Sequence, residues 1–147
     1  MAQTPTTWQP YLTKLTQVAP AATLANGAGF LSAAYGSDTP NPGQSIWADL
    51  ILITAYSVAP TAGSSISVYV LPSPDGTNYP YGGTAQIPDS NLWIQDFHVL
   101  AQTASQTDVI RRVELPPGLW KFLIWNATGQ TMSSGWTMDI RPYSVAT

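Results

Sequence analysis

Polar and apolar residues alternate from Ser65 to Leu71, with Ile66, Val68 and Val70 on one face, and the run stops at Pro72-Ser73-Pro74-Asp75-Gly76-Thr77-Asn78. A period of two bounded by turn residues predicts a strand followed by a tight turn. Trp47 to Tyr56 (WADLILITAY) is apolar almost throughout, the pattern of a strand covered on both faces and therefore central in its sheet. Further strands are predicted over about 27–35, 92–101, 106–115, 118–126 and 133–142, with a weaker one over about 10–18. No window sustains a 3.6-residue apolar repeat, and 13 Pro and 11 Gly punctuate the chain,. Eight short strands without a helix predict an all-β fold: a two-sheet antiparallel sandwich of the jelly-roll kind over residues 10–147. Residues 1–9 show no partner pattern and read as an extended N-terminal arm ending near Trp8.

In the last two strands, Trp120, Phe122 and Ile124 fall on one face of the first and Trp136, Met138 and Ile140 on one face of the second. Pairing them as a hairpin with both apolar faces toward the core sets Phe122 opposite Met138 and Lys121 opposite Asp139. The other face of the first strand still carries Leu119, Leu123 and Trp125. A sandwich covers only one face of a sheet with its own core, so a second copy of the chain is expected over these residues. A homo-oligomer, a trimer being the expected count, follows from symmetric closure.

Composition narrows the function. The chain has 147 residues, enough for one domain with a core of its own,. Charged residues make up 9%, against about 25% in an ordinary soluble protein, while aromatics reach 11% with six Trp. Few acids, bases or nucleophiles and much flat apolar surface point to a structural or binding protein and away from an enzyme. The net charge is −3, and the five cations, Lys14, Arg111, Arg112, Lys121 and Arg141, form no stripe of the kind phosphate neutralisation needs,. Nucleic acid is therefore not an expected partner. No run approaches the roughly 18 apolar residues of a membrane helix, and Met1 to Pro10 lacks the basic and apolar parts of a secretory signal,. Neither a membrane partner nor secretion is expected. The absence of Cys removes disulfides and thiolate chemistry,.

Candidate chemistry is thin. His98 is the single histidine, whereas a metal enzyme on a jelly roll needs two or three with a carboxylate. Asp96 shares its strand face and Ser90 is nearby, so a triad can be drawn, but no G-x-S-x-G elbow exists in the chain,. The carboxylates are dispersed, and nothing recommends a glycosidase pair. Asp49, inside the most apolar strand, reads as an edge or subunit contact paired with an Arg. Asp75-Gly76-Thr77-Asn78 reads as a plain turn rather than a calcium loop, and Gly27-Ala28-Gly29 as a turn rather than a dinucleotide fingerprint. No catalytic residue, metal or cofactor is expected. Tyr79 and Tyr81, flanking Pro80, are candidates for a sugar platform or for plugging the end of the sandwich.

The segments Leu24-Ala25-Asn26-Gly27-Ala28, Val68 to Tyr79 (VYVLPSPDGTNY), Leu115 to Phe122 (LPPGLWKF) and Asn126-Ala127-Thr128-Gly129 resemble a pattern in small virion proteins of tailed phages, including cyanophages. The resemblance implies a jelly-roll sandwich in the particle, of the capsid decoration or cement type. It implies the major capsid protein and further copies of the chain as partners. The implied location is the capsid surface of the virion, after synthesis in the host cytoplasm. Trp8, Leu119, Leu123, Trp125, Tyr79 and Tyr81 are the expected interface residues. The alternative is a carbohydrate- or receptor-binding module of a tail or fibre. No catalytic or ligand residue carries over from the resemblance.

Overall fold

The computed structural model describes residues 22–35, 47–81 and 86–143, and as backbone strands Thr7–Trp8, Leu15–Val18 and Val145–Ala146. The strands are β1 (Thr7–Trp8), β2 (Leu15–Val18), β3 (Gly29–Leu31), β4 (Trp47–Thr54), β5 (Ser65–Ser73), β6 (Trp93–His98), β7 (Gln106–Glu114), β8 (Leu119–Ala127), β9 (Thr137–Tyr143) and β10 (Val145–Ala146), with one 3-10 turn at Ser90–Leu92. Two four-stranded sheets, β2-β9-β4-β7 and β3-β8-β5-β6, form the sandwich, and every strand pairing in them is antiparallel. Numbered first to eighth from β2 to β9, the orders are 1-8-3-6 and 2-7-4-5. That interleaving is a jelly roll of two Greek keys.

As expected β4 is central, flanked by β7 and β9, but its face away from the core, with Trp47, Ile51 and Ile53, is half-buried and not fully covered. The core between the sheets draws Leu50 and Leu52 from β4, Ile66 and Val68 from β5, Phe97 from β6, Ile110 and Val113 from β7, and the two apolar sets of β8 and β9. Its aromatic rings meet in two groups. The rings of Trp120 and Phe122 lie 4.9 Å apart at 68°, Tyr35 tilts onto Trp120 at 5.2 Å, and Phe30 meets Trp136 edge-on at 5.6 Å. Such edge-to-face contacts add to the burial of these large side chains.

The expected hairpin of the last two strands does not form. β8 pairs with β3 and β5, whereas β9 pairs with β2 and β4, so the strands belong to opposite sheets. Lys121 stands opposite Leu71, and Asp139 opposite Ile51 and Thr16. Period-two alternation fixes which face is buried but is silent on whether the facing partner is a neighbour in the sheet or lies across the core. Residues 128–136 carry the chain from one sheet to the other, and sheets in a sandwich are about 10 Å apart. Backbone bridges from Met132 to Leu24 and Tyr56 pin this crossing. Buried Asn126 organises it: its side-chain NH2 donates to the carbonyls of Leu24 and Gln130, both at 2.9 Å, and its Oδ1 accepts from the Thr128 N–H and hydroxyl at 3.1 and 2.7 Å. Every hydrogen-bonding position of that amide is used.

The outer face of β8 needs no second copy of the chain to cover it. Leu123 and Trp125 form a satellite cluster with Tyr69 and Leu71, and Leu31, Tyr79 and Leu92 pack onto it. Tyr79 comes from the loop after β5 and Leu92 from the 3-10 turn, so both described ends of the connection between β5 and β6 lie over their own sheet. Leu119, half-buried, lies against the tight turn, where a Cβ on Gly76 would come 3.1 Å from Leu119 Cδ1. With φ at +76°, that position favours glycine on conformational grounds too,.

Of the expected arm, Thr7–Trp8 pairs antiparallel with Val145–Ala146, which ties this part of residues 1–9 to the chain's own C-terminal strand. The rest of residues 1–9, and Lys14 and Asp38, lie outside the described residues. Of the weak strand expected over 10–18, Leu15–Val18 forms β2 on the edge beside β9.

Candidate functional site

The residues singled out for chemistry are mostly occupied with holding the fold. His98 is exposed, and its backbone N–H donates to Asp108 Oδ2 at 2.7 Å. The Asp96 carboxylate accepts the indole N–H of Trp93 at 3.0 Å, and Ser90 opens the 3-10 turn. No triad is assembled. Among the described residues no group of three His, Cys, Asp or Glu is gathered as a metal site would require.

Asp75 is a turn residue, as expected. Its Oδ1 accepts the N–H groups of Thr77 and Asn78 at 2.9 and 2.7 Å, and the Ser73 hydroxyl donates to it at 3.2 Å. These donors, Asn78 foremost, hold its carboxyl well below the usual carboxylate range. A carboxylate with a depressed folded-state value adds stability that is complete above the unfolded value of about 3.9 and is lost as pH falls through the folded value. The Thr77 and Asn78 amide signals are therefore expected to stay unchanged from pH 7 to about 4 and to move only in stronger acid. A titration read by NMR checks this; movement centred near pH 4 would mean the turn does not depend on the carboxylate.

The two candidate sugar-stacking tyrosines are engaged within the chain. Lys121 Nζ lies 4.3 Å from the centroid of the Tyr79 ring, a cation–π contact. The Tyr81 hydroxyl donates to Asp89, which raises the phenol above its usual value. Both residues are half-buried.

Asp49, expected at an edge or subunit contact beside an Arg, sits instead on the central strand and is 9% exposed. Arg141 is its register partner on β9. On its other side β7 carries one extra residue: Ala48 faces Val113 and Leu50 faces Ile110, leaving Arg111 and Arg112 together opposite Asp49. This is a β-bulge, with Arg112 in the left-handed region at φ +59°,. Asp49 Oδ1 accepts the Arg112 N–H at 3.0 Å, and the Arg112 guanidinium rests 5.5 Å from the centroid of the Trp47 ring. A buried carboxylate therefore fixes an irregularity in an exposed edge strand. Asp49→Ala is expected to cost about 1–3 kcal/mol, the range for orphaning a buried hydrogen-bonding group. Urea denaturation measures it, and a loss under about 0.5 kcal/mol, ordinary for surface changes, would show that the bulge holds without its acceptor.

β6, the edge strand of the other sheet, is bulged as well. Val68 faces Gln95 while Tyr69 faces Trp93, so Ile94 is the extra residue. The two bulged edges border one cleft of about 510 Å³, lined by Asn91, Trp93 and Gln95 on one side and by Arg111, Arg112 and Glu114 on the other. Trp93 is 47% exposed, and its bond to Asp96 holds the indole by its edge. Bulges concentrate at sheet edges and beside binding sites because they re-aim side chains. Here both occur where the sandwich is open. Sequence reasoning singled out none of these cleft residues as a site, though one signal was there to find. Ile110, Val113 and Leu115 are all buried, and a spacing of three inside a run of twos marks an inserted residue.

No protein-family model matches the chain, and no curated protein matches it. Among solved structures, the CBM36-1 domain of a multidomain xylanase from the hindgut metagenome of Trinervitermes trinervoides is similar at a TM-score of 0.47 and 10% identity, over 92% of this chain and 96% of that one. No residue is carried over from it.

Proposed function

We propose that the chain is a non-enzymatic binding protein that takes a carbohydrate in the cleft between β6 and β7. The observation that carries this reading is the single cleft, lined by Trp93 on one side and Arg111 on the other, that lies where both edge strands are bulged. A volume of about 510 Å³ suits a short oligosaccharide,. A fixed, half-exposed indole offers a flat apolar face to the C–H side of a sugar ring, and Asn91, Gln95 and Glu114 offer donors and acceptors to its hydroxyls,. Glycoside hydrolysis uses two carboxylates roughly 5–9.5 Å apart, and the described lining supplies one, Glu114. Binding without turnover is what this arrangement supports. The wild-type protein is expected to select glycans on an array, and Trp93→Ala to weaken binding by about tenfold or more in calorimetry while leaving the melting temperature unchanged. Tyr79→Ala and Tyr81→Ala should retain binding. An array without selection, or a Trp93→Ala protein that binds as well as wild type, would overturn the reading.

On the virion that the resemblance implies, a carbohydrate-binding cleft belongs to a tail or fibre that contacts the host surface. Capsid decoration by a homotrimer is the second reading, favoured by the 9% of charged residues, since a surface poor in ions loses less on permanent packing. Because the outer face of β8 is covered by the chain's own Tyr79 and Leu92, this second reading has to rest on a different surface. Antibody labelling of purified particles in the electron microscope separates the two: label on the shell supports decoration, and label on the tail or fibres supports receptor binding.

A further inference from the structure

Resting on the cleft reading, we infer that the cleft's ligand is an acidic oligosaccharide whose uronate or sulfate group is held by Arg111. Two of the chain's five cations are adjacent in sequence and line this one cleft, while the chain as a whole carries −3. A cationic spot on an anionic molecule is specific to the site and not a by-product of general charge. The two arginines have different work. Arg112 rests over the Trp47 ring, and its N–H is taken by Asp49. Arg111 is exposed and, among the described residues, has no ion pair or cation–π contact. A guanidinium presents a planar fork of donors that matches a carboxylate or sulfate in two parallel bonds. The bulge keeps its charged neighbours out of the core. Without the inserted residue, the core-facing positions after Ile110 would be Arg112 and Glu114 in place of Val113 and Leu115,.

The other charged group in the cleft, Glu114, is exposed and suits a sugar hydroxyl better than an anion. Its position excludes an extended polyanion, because a second acidic group placed there would meet it. Two cations are also too few for a phosphate backbone. An acidic peptide would meet the guanidinium but would leave the flat Trp93 face without a sugar ring to cover.

The test uses the full chain and galactan tetrasaccharides of one length, one with a single galacturonate residue, one with a single sulfate and one neutral, with a tetrapeptide carrying one glutamate as the non-sugar anion. The uronate or the sulfated sugar is expected to bind about tenfold tighter than the neutral one at low salt, with the advantage shrinking as salt is raised to about 1 M. Arg111→Gln should erase that advantage while leaving the melting temperature as it is, and Arg112→Gln should matter less. Which acidic sugar binds tells carboxylate from sulfate. Equal binding of neutral and acidic sugars, an Arg111→Gln protein that keeps the preference, or a tetrapeptide that binds as well as the sugars would overturn the inference while leaving the cleft as a binding site. If no sugar of any class binds, the cleft reading itself fails.

Discussion

Phe122→Ala is expected to lower the unfolding free energy by about 3–5 kcal/mol, the range for truncating a buried aromatic. Phe122 is fully buried at the centre of β8, with its ring against Trp120 and Val70 as its register partner on β5. The backbone bonds there survive the change. The Ser32 N–H donates to the Phe122 carbonyl at 2.9 Å, and Ser32 Oγ accepts the Phe122 N–H at 2.9 Å. The loss is therefore one of packing, made of removed apolar area and a cavity that the rigid aromatic neighbours cannot close. For a domain of this size the melting temperature should fall by about 10 °C or more. Val109→Ala, at a position 41% exposed, serves as the control and should change stability by under about 0.5 kcal/mol. Calorimetry on the three proteins decides it; a small effect at Phe122 would mean that the core is not centred between these sheets.

Asn126→Asp is expected to be as damaging, through a different mechanism. The amide NH2 that donates to the Leu24 and Gln130 carbonyls at 2.9 Å would be replaced by an oxygen facing two oxygens. A buried carboxylate without counter-charge adds its desolvation cost, so about 3 kcal/mol or more should be lost at neutral pH. Burial and the facing carbonyls raise the variant's folded-state pKa above its unfolded value. The protonated form is then the better tolerated one, and part of the stability should return as pH falls through that raised value. Melting curves at pH 7 and pH 4 test this, with wild type as reference. An Asn126→Asp protein that melts like wild type at pH 7 would show that the crossing over residues 128–136 is held by something else.

How far the sequence reaches into this fold depends on which quantity is asked of it. Faces were legible. Trp120, Phe122 and Ile124, and likewise Trp136, Met138 and Ile140, are all buried as their alternation required, because a one-residue slip would expose the whole set. Centrality was legible in Trp47–Thr54, which has a strand on each side. Neighbour relations were not, because the same alternation serves β8 and β9 equally well side by side or across the core. The apolar residues left over on β8 were also ambiguous. Leu123 and Trp125 need a cover, and no pattern along the chain tells a second copy from Tyr79 and Leu92 of the same copy.

The cleft was the least legible feature, for a physical reason. It is made by two departures from regular pairing, at Ile94 and at Arg111–Arg112, and regular patterning is what a period search detects. The oddity of Asp49 was visible, but its cause lay 63 residues away in the Arg112 N–H. A charge in an apolar strand suggests a contact with another subunit, whereas here it supports a bulge in the next strand.

Whether the cleft between β6 and β7 is the binding site can be read by mapping a bound glycan on the amide and indole signals of the 15N-labelled protein. A selected oligosaccharide is expected to shift the Trp93 indole N–H and the amides of Gln95 and Arg111 to Glu114, and to leave the turn at Ser73 to Asn78 and the Tyr79 to Tyr81 segment in place. Shifts confined to Tyr79 and Tyr81, or to the outer face of the sheet that carries β4, with the Trp93 indole unmoved, would place the ligand elsewhere and rule the cleft out.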